Sequence, residues 1–232
     1  MANGGYSGGE LPKNHLLLDS HRLDNWWNNS CILAGIFNDP PSAPGYHTGT
    51  GSEDSANRWL HEDGLSDFFD GFGGGKTKTD ILRIMKDSNV GSYALIGMIL
   101  YYSLLISTLS SIPKGMMVVV LFAADPFSKL LTTGMMNLLP YARTESESKS
   151  KTLYDKLGTG RFMVACLFGL LPLLLLSDRR LWFAALLPLC VLLFLFFYVW
   201  KRIGGYTGDI CGATALLCEL GFYLAIVCLL NR

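Results

Sequence analysis

Three aspartates in the first third of the chain are spaced as a helical metal site requires. Asp63, Asp67 and Asp70 stand at i, i+4 and i+7 in the stretch HEDGLSDFFDG, so on a helix they share one face. Like charges stacked in this way destabilise a bare helix. Divalent cations relieve the repulsion, and Mg²⁺ or Mn²⁺ suits such oxygen ligands together with water and substrate phosphate. With the adjacent Glu62, the pattern predicts a Mg²⁺ or Mn²⁺ site for a phosphate-bearing substrate; a merely solvated acidic face is the alternative.

Basic residues that suit a phosphate follow at three places along the chain. Lys86 and Asp87 lie in ILRIMKDS, just before a long apolar stretch, and Arg143 lies shortly after another. Lys129 stands inside an apolar stretch, four residues after Asp125. Ionisable groups at membrane depth are costly and indicate function by default, although mutual neutralisation of this pair is the alternative. Lys86, Lys129 and Arg143 are therefore predicted to bind substrate.

A glycine-rich segment, GGYTGD at 204–209, supplies a further candidate. Gly205 would let backbone amides approach a phosphate closely. Asp209 would add a metal ligand. Asp67, Asp87 and Asp209 are the candidate catalytic carboxylates, with Asp87 or Asp209 as the candidate proton acceptor. A simple turn between two helices is the alternative interpretation.

Apolar stretches long enough to cross a membrane dominate the chain after residue 90. Membrane-spanning helices need about 20 mostly apolar residues, and five stretches qualify or nearly do: 92–112, 115–137, 162–177, 181–200 and 210–230. The stretch 181–200 has no polar face, which argues against a soluble helical core. The sequence predicts an all-α, polytopic membrane bundle of about five transmembrane helices, with the acidic helix outside the bilayer.

The charges between these stretches predict an orientation. Twelve basic residues fall on one side: Arg58, Lys76, Lys78, Arg83, Lys86, Arg143, Lys149, Lys151, Lys156, Arg161, Lys201 and Arg202. Four fall on the other: Lys114, Arg179, Arg180 and Arg232. The more basic side is normally cytoplasmic, so the candidate residues are expected to meet at a site facing the cytoplasm, in a multi-pass membrane protein.

The composition divides the chain at residue 57. Of all residues 50% are hydrophobic and 16% are charged, with 19 Lys+Arg against 19 Asp+Glu, a balance that disfavours a nucleic-acid-binding protein. Residues 1–57 are polar and lack helical or strand periodicity, so they are predicted to be an irregular segment. Residues 58–232 are predicted to form a membrane-embedded catalytic domain.

In combination, these motifs resemble cobalamin synthase, the adenosylcobinamide-GDP ribazoletransferase family of polytopic membrane enzymes. The matching pieces are LHEDGLSDFFDGFGGG, ILRIMKDSNVGSYA, FSKLLTTGMMNLLPYAR and GGYTGD, in the family's order. The resemblance covers about residues 59–232 and implies a place in the bacterial inner membrane. Two features depart from the family. Nothing in 1–57 matches its usual first membrane segment, and Lys129 stands where arginine is common.

The resemblance implies the final step of cobalamin biosynthesis. The hydroxyl of α-ribazole, or of its 5′-phosphate, would attack the cobinamide-bearing phosphorus of adenosylcobinamide-GDP and release GMP. It implies Mg²⁺ held by the carboxylates, and membrane lipid, a second copy of the chain or other enzymes of nucleotide-loop assembly as partners.

Two other functions fit parts of the pattern. CDP-alcohol phosphotransferases also place spaced aspartates on a membrane helix, but the Ala-Arg pair of their longer motif is absent after Asp63-Gly64. A divalent-cation transporter would use Asp125, Lys129 and Glu219 along a path, yet it would not need an acidic helix outside the bilayer.

Overall fold

The computed structural model describes residues 51–143 and 157–231, and their side chains from residue 59 onward. Seven α-helices follow one another in this part of the chain: α1 (Gly51–Gly74), α2 (Lys78–Ile84), α3 (Ser92–Ser110), α4 (Lys114–Leu138), α5 (Thr159–Leu170), α6 (Leu186–Ile203) and α7 (Gly208–Leu230). Two 3₁₀ segments, Leu171–Leu175 and Arg179–Ala185, precede α6. No strand occurs among the described residues, and the predicted all-α fold is confirmed.

Four of the helical segments are long and apolar enough to cross a membrane: Ser92–Ser110, Lys114–Leu138, Arg179–Ile203 and Gly208–Leu230. The bounds of all four lie within three residues of the predicted spans 92–112, 115–137, 181–200 and 210–230. The remaining predicted span, 162–177, corresponds to the shorter apolar segment Thr159–Leu175. There the α-helix changes to 3₁₀ geometry at Leu171, beside Pro172, because proline has no N–H to continue the α-helical ladder.

The carboxylate helix α1 begins earlier than the sequence indicates. It starts at Gly51, so residues 51–57, which the sequence predicts as irregular, are helical. Once a helix has formed, each further residue adds a hydrogen bond at little cost, and polar residues without a period of their own extend it. Residues 1–50 of the predicted N-terminal segment lie outside the described residues.

The last helix, α7, occupies the centre of the bundle. It packs against α1, α4 and α6, and its side chains are buried along most of its length. In contrast, α3 and α6 expose apolar side chains on their outer faces, among them Ile99, Leu100, Phe194 and Phe197. Apolar surface of this kind is expected where helices face lipid. The carboxylate helix therefore rests directly on the innermost helix.

Candidate functional site

Two aspartates on α1 and one on α7 form the core of the site. Asp63 is exposed and Asp67 is half-buried, one turn further along the same face of α1. Burial is the main cause that raises the pKa of Asp67 from 3.8 to about 7, followed by the charges of Asp63 and Asp209. The Arg143 guanidinium opposes this shift. These four charged groups therefore lie close enough to act on one another.

Glycines let α1 and α7 approach so closely. A Cβ atom on Gly64 would lie 2.7 Å from the backbone oxygen of Asp209 and 2.9 Å from its Cα. One turn away, a Cβ atom on Gly212 would lie 3.0 Å from the Cα of His61. The two backbones touch at this crossing, and the contact brings the first turn of α7 to the carboxylates of α1.

A short loop between α6 and α7 fixes the direction of Asp209. Helix α6 ends at Ile203, and its C-cap residue is Gly204, whose φ of 75° favours glycine. Thr207 then begins α7 as its N-cap, and its hydroxyl accepts a hydrogen bond from the Ile210 N–H at 3.4 Å. The same hydroxyl lies 3.3 Å from Oδ2 of Asp209. The loop thus presents Asp209 at the start of the helix that touches α1.

Arg143 reaches the site because its segment pairs with this loop. The Tyr206 N–H donates to the Pro140 carbonyl at 2.9 Å, and the Ala142 N–H donates to the Tyr206 carbonyl at 2.8 Å. Arg143 Nη2 then donates to Oδ2 of Asp209 at 2.9 Å. A cation is therefore held beside the carboxylates. Residues 144–156, which follow Arg143, lie outside the described residues.

Gly205, predicted to bind substrate, has a packing role in the structure. A Cβ atom at this position would meet the Pro140 carbonyl oxygen and would lie 3.2 Å from the Cα of Ala142. Only glycine therefore allows the Arg143 segment to lie against the loop. Its contact with a phosphate stays a prediction.

Asp70 is placed differently from the other two aspartates of α1. It is 8% exposed, and its two carboxylate oxygens accept hydrogen bonds from the backbone N–H groups of Gly91 and Ala94. Glu62, at the other end of the cluster, is partly exposed. Their roles as metal ligands stay predictions.

Lys86 and Asp87 do not join this cluster in the described part of the structure. Both side chains are exposed. Asp87 accepts hydrogen bonds from the backbone and side-chain N–H groups of Asn89 at 3.0 and 2.7 Å, and these bonds lower its pKa. Their predicted catalytic and substrate-binding roles are not supported by a contact with Asp63, Asp67 or Asp209.

Lys129 is paired within its own helix. Its Nζ atom lies 2.9 Å from the Asp125 carboxylate, one turn earlier on α4. The mutual neutralisation that the i, i+4 spacing allows is thus what the structure shows. Lys129 stands nine residues before the end of α4, which at helical rise is about 13 Å. Its binding of substrate stays a prediction.

We expect Lys129→Met to lower the thermal unfolding midpoint, because it leaves the Asp125 carboxylate unpaired among apolar helices. The double variant Asp125→Asn/Lys129→Met should recover most of the loss, since it leaves no unpaired charge. The midpoint is measured in detergent by intrinsic fluorescence. Equal midpoints for the single and double variants would show that the pair does not stabilise the bundle.

The raised pKa of Asp67 predicts a pH-dependent stability. The pKa of Asp67 is 3.8 in the unfolded chain and about 7 in the folded one. The contribution of its protonated carboxyl to the free energy of unfolding is therefore complete below pH 3.8 and is lost as the pH rises through about 7. Without Mg²⁺, Asp67→Asn should therefore raise the unfolding midpoint, and more at about pH 8 than at about pH 5.

Asp80→Asn is the control for Asp67→Asn, because it should change the unfolding midpoint in the opposite direction. Hydrogen bonds from Thr77 lower the pKa of Asp80, so its carboxylate stabilises the fold above the unfolded pKa. Its replacement should lower the midpoint slightly at about pH 8. An Asp67→Asn midpoint that falls relative to the parent as pH rises would contradict the assignment.

The sequence alone does not single out the residues whose packing brings the charged groups of the site together. Thr207 carries a local signal, since a threonine two residues before an aspartate at the start of an apolar run is typical of an N-cap. Gly64 and Gly212 carry a weaker one, because small residues are common where helices touch. The pairing of Pro140 with Tyr206 has no local signal at all.

The carboxylates fit a Mg²⁺ ion that shares its ligands with a substrate. In the residues that the structure describes, no group of three or more His, Cys, Asp or Glu side chains is placed to hold a metal. Mg²⁺ is usually bound through one or two carboxylates, with substrate phosphates and water completing the shell. Asp63 and Asp67, with Asp209 beside them, are oxygen donors of this kind.

The chain is similar to a family of known proteins. Residues 55–227 match the family model described as cobalamin-5-phosphate synthase. The chain belongs to this family. Its relatives include proteins named adenosylcobinamide-GDP ribazoletransferase from Shewanella putrefaciens (39% identical over 172 residues), Shewanella oneidensis (37% over 175) and Albidiferax ferrireducens (33% over 188).

The extent of the match is limited on both sides. Each alignment covers 72% of this chain, and the chain spans 65% of the length of the two Shewanella proteins and 67% of the Albidiferax protein. No solved structure matches the chain. The family resemblance inferred from the HEDGL, IMKDS and GGYTGD motifs is confirmed.

Proposed function

We propose that this cobalamin-5-phosphate synthase family member transfers a cobinamide phosphate onto α-ribazole or its 5′-phosphate. The support is the family match over residues 55–227 together with the carboxylates of α1 against Asp209 and Arg143. A hydroxyl oxygen of the ribazole attacks the phosphorus that bears cobinamide. A new P–O bond forms, the bond to the bridging oxygen of the diphosphate breaks, and GMP leaves with that oxygen.

The charges of the site suit this reaction. Phosphoryl transfer requires little covalent chemistry from the protein and depends on positioning and charge stabilisation. Arg143, held in place by Asp209, lies where it can bind a phosphate oxygen through its guanidinium. Asp67 or Asp209 accepts the proton of the attacking hydroxyl. Bound Mg²⁺, held by Asp63 and Asp67, would neutralise the negative charge of the diphosphate.

The protein is proposed to present this site to the cytoplasm from the inner membrane. The described helices support several crossings, and the basic residues of the sequence lie mainly on the side of α2, Arg143 and the α6–α7 loop. This is the side that the positive-inside rule places in the cytoplasm. Soluble substrates made in the cytoplasm would then reach the site directly.

The assay uses membranes that contain the full chain. Incubation with adenosylcobinamide-GDP, α-ribazole and Mg²⁺ is expected to yield GMP and adenosylcobalamin in equal amounts, with neither formed by membranes that lack the protein. A parallel incubation with a CDP-alcohol and a lipid acceptor tests the other phosphotransferase chemistry by CMP release. Release of CMP without GMP would overturn the proposal.

A further inference from the structure

Asp70 lies where the carboxylate helix meets the first membrane span. Oδ2 of Asp70 accepts a hydrogen bond from the Gly91 N–H at 2.5 Å, and Oδ1 accepts one from the Ala94 N–H at 2.8 Å. Gly91 is the N-cap residue of α3 and Ala94 belongs to its first turn. These are N–H groups that a helix cannot satisfy by itself. A side chain from another helix satisfies them here.

The shape of the contact shows that the carboxylate takes the place of a missing capping side chain. Gly91 has no side chain, and no side-chain hydrogen bond of its own caps α3. A Cβ atom on Gly91 would lie 2.6 Å from Oδ1 of Asp70. The space that an N-cap serine or aspartate would fill is therefore filled by Asp70. Its negative charge also suits the positive end of the helix dipole.

This contact fixes the helix that carries the catalytic carboxylates. Asp70 follows Asp67 by three residues, so the two side chains leave α1 on the same face. Helix α1 is not one of the apolar spans, whereas α3 is. A buried, charge-assisted contact at Asp70 thus fixes the orientation of α1 about its own axis relative to α3, which is anchored in the membrane.

We propose that Asp70 is a positioning residue rather than a metal ligand. Its carboxylate caps α3 in place of Gly91 and thereby holds Asp63 and Asp67 toward Asp209. The role in turnover rests on the proposed function, whereas the role as a cap does not. Each oxygen of Asp70 accepts a backbone N–H bond from the start of α3, and the proposal assigns metal binding to Asp63, Asp67 and Asp209.

The test is a mutual rescue between positions 70 and 91. Asp70→Ala removes the cap and is expected to lower the thermal midpoint by roughly 5 °C. Gly91→Ser in the parent should also lower it, since the added side chain meets the carboxylate. The extended backbone at Gly91, with φ −91° and ψ 179°, accepts serine. In the double variant Asp70→Ala/Gly91→Ser, the added hydroxyl can accept a hydrogen bond from the Ala94 N–H. The thermal midpoint of the double variant should therefore exceed that of each single variant.

A matched control is Asp80→Ala, which removes a capping carboxylate from α2. It should lower the midpoint slightly and should not be rescued by Gly91→Ser. If the losses of Asp70→Ala and Gly91→Ser simply add in the double variant, the cap is overturned. The thermal comparison needs no turnover, so its result stands apart from the success or failure of the GMP assay.

The second readout separates positioning from metal binding. In the GMP assay, well below the unfolding midpoint, Asp70→Ala should lower kcat about tenfold and leave the half-saturating Mg²⁺ concentration within about twofold of the parent. Asp63→Asn removes a proposed ligand itself, so it should raise that concentration by at least the roughly 10–100-fold that loss of a ligand's hydrogen-bonding partner costs. The double variant should regain most of the lost kcat. An Asp70→Ala enzyme with the Mg²⁺ requirement of Asp63→Asn would overturn the proposal.

Discussion

Asp67→Asn is expected to reduce GMP release from adenosylcobinamide-GDP by roughly 10²–10³-fold at saturating Mg²⁺. Asp67 is the carboxylate on which the other charges of the site converge: Asp63 and Asp209 raise its pKa and Arg143 lowers it. Asparagine keeps the size of the side chain but removes the negative charge that would hold Mg²⁺ or accept a proton. The measurement is the initial rate in membranes with matched protein content.

Two comparisons separate this effect from unfolding. Asp80→Asn removes a carboxylate of α2 that is exposed and bonded to Thr77, and it should keep the parent rate. Asp67→Asn itself should be at least as stable as the parent above neutral pH, as derived from its raised pKa. A loss of rate together with a gain in stability identifies a residue of the site. Retention of more than about a tenth of the parent rate would contradict its role.

Gly64→Ala is expected to cause the second large effect. Its Cβ atom would lie 2.7 Å from the Asp209 backbone oxygen and 2.9 Å from the Cα, and backbone atoms cannot rotate away. The two helices must therefore separate, which moves Asp209 from Asp67. A displacement of about 1 Å can lower a rate by about 10²-fold. We expect a loss of that order in GMP release and a lower thermal midpoint, both measured on purified protein.

The matched control is Gly74→Ala, on the same helix. The nearest atoms to a Cβ there are side-chain carbons at 3.6 and 4.0 Å, which is ordinary contact. Gly74 is the last residue of α1 and its φ is not positive, so alanine fits its backbone and this variant should be close to neutral in stability. If Gly64→Ala matched it in both rate and midpoint, the close crossing of α1 and α7 would be refuted.

Much of the fold can be predicted from the sequence because membrane spans are a property of composition and length. The helical spacing of Asp63 and Asp67 likewise places them on one face without further information. The packing order cannot be predicted in the same way. Helix α6 is more apolar than α7, yet α7 is the more buried of the two, and only its small residues, such as Gly212, indicate the inner position.

The site shows the same limit in individual residues. Asp70 has the spacing of its neighbours, but its partner is the N-terminus of a helix 21 residues later in the chain, and no local pattern indicates that contact. The i, i+4 spacing of Asp125 and Lys129 suited both an ion pair and a functional site, and the structure shows the pair. Motifs predict candidate residues, whereas packing decides what each of them touches.

The central place of α7 has a consequence for how the protein is made. Among the described helices it is the last in chain order, so synthesis delivers α1 through α6 before the helix around which they pack. Until α7 joins the helices made before it, Asp67 therefore lacks Asp209 as a neighbour. Among the described helices, the candidate site cannot assemble before α7 has been made.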